Sequence, residues 1–131
     1  MDDDDMDGFI DGFGGNAQEQ VAKKALEYAD NLATQLRKGF LSYCVLKVCS
    51  HAPMYTSDII TKLCEAEMVV AEGTIYPLLS RLQKDGLLTY EWQESGQGPP
   101  RKYYKTTTYG DAVVGYTAAK IVALNTTLKK L

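Results

Sequence analysis

At 131 residues and 45% hydrophobic content, the chain has room for one domain with a modest core. It contains no run near the roughly 18 apolar residues that cross a membrane, and its acidic start does not read as a secretory leader. Three cysteines without Cys-x-x-Cys spacing and one histidine argue against a zinc site or a disulfide framework, so a reduced, cytoplasmic protein without metal or cofactor is expected. The net charge of −3 is unevenly spread. Residues 1–20 hold seven acids and no Lys or Arg, which leaves 21–131 at +4, an asymmetry that hints at a nucleic-acid partner.

Residues 1–16 join an Asp run to Gly8, Gly12, Gly14 and Gly15, a composition that favours a solvated, disordered tail. From 17 to 37, Val21, Ala25, Ala29, Leu32 and Leu36 recur every three or four residues, the period of a helix with one apolar face. That face should pack on a partner subunit or on the C-terminal helix. A second helix is expected over 38–50, apolar on most sides through Phe40, Leu41, Cys44, Val45, Leu46 and Val48. Pro53 breaks it, because the residue before a proline avoids helical geometry. Thr56 or Ser57 should cap the next helix, which carries Ile59, Ile60, Leu63 and Cys64 to about Glu67. The cysteines read as small core hydrophobes.

A helix over about 72–85 follows, stopped by Gly86. Ile75, Leu78, Leu79 and Leu82 form its inward face, leaving Gly73, Thr74, Tyr76, Pro77, Ser80, Arg81 and Lys84 outside. Pro77 fits such a helix if it lies in the first turn. Taken alone, this is an amphipathic helix with a solvated face. Strands are expected over 87–94 and 101–107, around a turn of Ser95, Gly96, Gln97, Gly98, Pro99 and Pro100. Arg101, Lys102 and Lys105 place cations just beyond that turn. Thr107 should cap a last helix over 108–131 with Val113, Thr117, Ile121, Leu124 and Leu128 on one stripe.

Helix, helix, helix, hairpin is the order of a winged helix-turn-helix. The major groove admits one helix with polar side chains at its N-terminal end, and a cationic hairpin suits the phosphate backbone or minor groove. His51 has no evident partner acid or nucleophile, and no phosphate loop or nucleophile motif is present, so no enzyme is expected. Trp92 is expected to fill space between hairpin and helices. The alternative is a winged-helix protein-interaction module without DNA binding. It would want apolar residues outside the 72–85 helix and a hairpin without cations.

The run Gly73-Thr-Ile-Tyr-Pro-Leu-Leu-Ser-Arg-Leu-Gln-Lys-Asp-Gly-Leu-Leu, then Trp92-Gln-Glu-Ser, then Gly98-Pro-Pro-Arg-Lys-Tyr-Tyr-Lys, resembles the PadR family of winged helix-turn-helix transcriptional regulators over about 36–131. The resemblance implies a mainly α (α+β) fold: a winged helix-turn-helix over 38–107 with a two-stranded wing, an extra N-terminal helix over 17–37 and a C-terminal dimerisation helix over 108–131. It also implies a repressor that binds a pseudo-palindromic site on double-stranded DNA as a homodimer. In some members a small, often aromatic, molecule releases the DNA, which makes such an effector a candidate partner. By position, Thr74, Tyr76, Pro77, Ser80, Arg81, Arg101 and Lys102 become the DNA-contact candidates. Tyr103 and Tyr104 match the family's strand tyrosines. Met54-Tyr55 stands where the family usually has Gly-Tyr, and Thr106 replaces an apolar residue.

Overall fold

The computed structural model describes residues 16–131, so the expected tail, apart from Asn16, lies outside the described residues. The elements in chain order are α1 (Asn16–His51), α2 (Thr56–Glu65), α3 (Glu72–Lys84), β1 (Leu88–Gln93), β2 (Arg101–Thr106) and α4 (Thr108–Lys130). The helices expected over 17–37 and 38–50 are one 36-residue helix. No proline interrupts the join. Gly39 alone costs about 1 kcal/mol, which is too little to stop a helix already hydrogen-bonded on both sides.

The described residues form two units, divided between Gly39 and Phe40. In the first, Leu26, Leu32 and Leu36 are all exposed. The second holds the core, where Leu41, Val45, Leu46 and Cys49 meet Ile59 and Leu63 of α2, the four apolar residues of α3, Leu88 and Tyr104. Full burial of an aliphatic side chain such as Ile59, Ile75 or Leu79 contributes about 1.5–3 kcal/mol, so this cluster orders the three helices and the hairpin together. Burial pushes the Cys49 thiol up to about 12, which keeps it neutral. Cys64, expected in the core, is exposed instead, one position off the buried face set by Ile59 and Leu63.

Local signals explain the joints. The cap of α2 is Tyr55, not Thr56 or Ser57: Tyr55 has extended backbone geometry, and its N–H donates to Asp58 Oδ2 at 3.2 Å. Thr56, already helical, is buried. After α2, Glu67 takes the left-handed conformation at φ 63°, and the Met68 N–H reaches back to the Leu63 carbonyl at 2.8 Å. After α3 the same closure uses Gly86 at φ 81°, with Leu87 N–H bonded to the Leu82 carbonyl at 2.9 Å. Thr107 caps α4, accepting from the Gly110 N–H at 3.0 Å.

The two strands pair antiparallel from Leu88↔Thr106 to Gln93↔Arg101. Met54 adds a bridge to Tyr104, with both N–H···O bonds at 2.8 Å. The fold is therefore the mainly α, winged helix-turn-helix arrangement. Along α4, Leu124 and Leu128 are 61% and 67% exposed.

Candidate nucleic-acid interface

At about 100° per residue, the buried face of α3 fixes where every other side chain of that helix points. Ser80, Pro77, Lys84 and Gly73 lie opposite the core; Tyr76 falls on one flank, and Thr74 and Arg81 on the other. All seven are exposed. On the Arg81 flank, Arg81 Nη2 donates to Ser42 Oγ of α1 at 3.4 Å, which leans the guanidinium along the first helix. Thr74 sits in the first turn, where its N–H donates to the Ala71 carbonyl at 3.0 Å.

Pro77 does not meet the condition that would make it harmless, a place in the first turn of α3; it stands inside the helix, in the second turn counted from Glu72. It removes the N–H that would bond the Gly73 carbonyl four residues earlier. Nothing lies within 4 Å of a Cβ placed on Gly73, so the packing does not require glycine there. Two helix-weakening residues thus share the exposed side of α3.

The Tyr76 flank faces the hairpin across a cleft of about 410 Å³. Tyr55, Tyr76, Trp92 and Tyr104 give it aromatic walls, Arg101 and Lys102 its cations, and among the described residues no carboxylate lines it. Burial, reinforced by the neighbouring Tyr76 and Tyr90 phenols, pushes the Tyr104 phenol up, so it stays neutral. Trp92 does not fill space between hairpin and helices as expected; it is 61% exposed and meets Tyr90 edge-on, ring centroids 5.9 Å apart. The strand register explains the exposure. Leu88, Tyr90 and Trp92 share a face; Leu88 lies in the core, Tyr90 packs against its edge, and Trp92 lies beyond it.

The two hairpin cations take opposite faces of β2. Lys102 turns inward, its Nζ 4.2 Å from the Tyr90 ring and 5.7 Å from Trp92. Arg101 turns outward over Tyr55, its Cζ 4.8 Å from the ring centroid. The structure thus brings Tyr76, Arg101 and Lys102 to one cleft, leaves Pro77 and Ser80 on the outer side of α3, and puts Thr74 and Arg81 on the other flank, where Arg81 reaches Ser42 of α1. Tyr55 and Trp92 belong to the cleft but not to the sequence-derived candidates. The register of 88–93 against 101–106 was the available signal for Trp92. None existed for Tyr55, which arrives through the Met54 bridge.

Among the described residues, no helix is long and apolar enough to cross a membrane, and no group of three or more His, Cys, Asp or Glu is placed to hold a metal. The chain matches the family model described as the transcriptional regulator PadR-like family over residues 45–115. No curated protein matches it. Among solved structures it is similar to a PadR-like transcription factor from Bacteroides fragilis, at 52% identity over 76% of this chain and 97% of that one, with a TM-score of 0.66. It is also similar to a PadR family transcriptional regulator from Eggerthella lenta, at 30% identity over 82% and 95%, TM-score 0.75. A PadR-like transcriptional regulator from Bacillus cereus shows 35% identity over 73% and 94%, TM-score 0.67.

Proposed function

The chain belongs to the PadR-like family of transcriptional regulators, and from that premise we propose that it binds double-stranded DNA sequence-specifically as a homodimer and represses transcription by occupying a promoter. The observation that carries this reading is the pairing of α3 with a cationic hairpin in one unit. The outer side of α3 is polar and unpacked, and Arg101 and Lys102 stand across an aromatic-walled cleft from its Tyr76 flank. On DNA, the outer side of α3 enters the major groove. Thr74 and Ser80 offer hydroxyls to base edges or phosphates, Tyr76 packs on the backbone, Arg81 neutralises a phosphate, and the hairpin acts as the wing. Half-sites then lie about one helical turn, ~10 bp, or a multiple of it, apart.

The dimer reading rests on α4, where Leu124 and Leu128 expose apolar surface that a second copy would cover. Small-molecule release of DNA, by an aromatic effector, remains part of the proposal through the family alone. The protein-interaction alternative is disfavoured by the polar outer side of α3.

The deciding experiment is fluorescence-anisotropy titration of DNA from upstream of the protein's own gene against scrambled DNA, at several salt concentrations. Tight, salt-dependent, sequence-selective binding is expected. No binding to either DNA at low salt would point to the interaction module.

A further inference from the structure

Arg101 is exposed at the start of β2, and a free arginine there would sample many rotamers. Among the described residues no carboxylate pairs with it, and the one ion pair is Lys62 with Glu65, on α2. What meets its guanidinium is the Tyr55 ring, 4.8 Å away. Tyr55 is itself held at three points, two through the backbone and one through the ring. Tyr55 caps α2 with its N–H on Asp58, its neighbour Met54 is bonded to Tyr104 through both backbone groups, and its ring packs on Tyr103 at 5.9 Å. The ring is a platform set between the start of α2 and β2, and the arginine lies on it.

We propose that Tyr55 is a positioning residue for DNA binding, holding the Arg101 guanidinium in one direction so that a phosphate meets an already ordered cation. The proposal rests on the DNA-binding reading above. An aromatic face attracts a guanidinium without neutralising it, so the seat restricts the side chain and leaves its charge and donors for an anion. A carboxylate in the same place would order the arginine too, but would compete with the phosphate. The seat also links the wing to the start of α2, so the cation keeps its place relative to the helix-turn-helix and not only to its own strand.

The test uses the full chain and a mixed-sequence DNA duplex at low salt, because phosphate contacts do not depend on sequence. Tyr55→Leu, which keeps bulk and removes the ring, should weaken binding about two- to five-fold. Tyr55→Phe, which keeps the ring, should bind as wild type. Added to Arg101→Ala, Tyr55→Leu should cause no further loss. An equal loss in the Arg101→Ala background, or none in the wild-type background, or a Phe variant as weak as Leu, overturns the proposal. A second measurement needs no DNA: proton NMR of the Arg101 side chain should show a ring-current shift that Tyr55→Leu abolishes and Tyr55→Phe keeps. Absence of that shift in the wild type also overturns it. If the wild type binds no duplex, the DNA reading falls and this role with it, while the NMR shift still reports whether the seat exists.

Discussion

The Thr107 hydroxyl donates to the Gly86 carbonyl at 2.7 Å, tying the residue that ends α3 to the residue that caps α4. The same oxygen accepts from the Gly110 N–H, and the Thr107 N–H donates to the Leu87 carbonyl at 3.1 Å. Asp111 accepts from the Thr106 hydroxyl alongside. Gly110 is buried against Leu87, and a Cβ added there would collide with the Leu87 carbonyl. Thr107→Ala should cost about 1–2 kcal/mol as a lost helix cap. Gly110→Ala should cost about 2–3 kcal/mol, because the backbone contact has no soft side chain to yield. Chemical denaturation reads both. A Gly110→Ala variant as stable as wild type would mean that the α3–α4 joint is not this close.

The left-handed Glu67 gives a change of opposite sign. A residue with a Cβ is strained there, and glycine is not, so Glu67→Gly should stabilise the fold by about 0.5–1 kcal/mol. Thermal unfolding should show the gain. Glu67→Gly at or below wild-type stability would deny the left-handed turn between α2 and α3.

Pro77 should separate stability from binding. Pro77→Ala restores an N–H to the Gly73 carbonyl and should stabilise the fold by about 1–3 kcal/mol. The same variant should lose DNA affinity or selectivity, because the proline stands on the outer side of α3. A variant both more stable and fully selective would remove Pro77 from the interface.

The wing cations should act on all sequences alike. Arg101→Ala with Lys102→Ala should weaken binding to every duplex and flatten the log–log salt dependence by roughly one to two units. Loss confined to one sequence, with an unchanged slope, would assign them to base readout. By contrast, Thr74→Ala or Ser80→Ala should alter which sequence is preferred.

The exposed stripe of α4 predicts the assembly. Leu124→Asp with Leu128→Asp places charges on a surface that a second copy would bury, and should convert a dimer to a monomer. Sedimentation velocity distinguishes them. An unchanged dimer would locate the interface elsewhere.

The chain's periodicity determined the helices and the hairpin, because burial of one face per element is written in residue spacing. Ile75, Leu78, Leu79 and Leu82 gave the inward side of α3, and the outer side followed by subtraction. Thr107 and Gly86 marked their joints because capping chemistry is local. Tertiary structure decided what depends on distant partners. Gly39 did not divide α1, since a weak helix former yields to the hydrogen bonds around it. Glu67 carries no glycine signal, yet turns left-handed because α2 and α3 must both reach the core. Trp92 stays exposed because the hairpin outruns the core below it, and Tyr55 reaches Arg101, 46 positions away, only through the Met54–Tyr104 bridge. Spacing along the chain fixes which face is buried. Which surface residues meet across that face is fixed only when the elements pack.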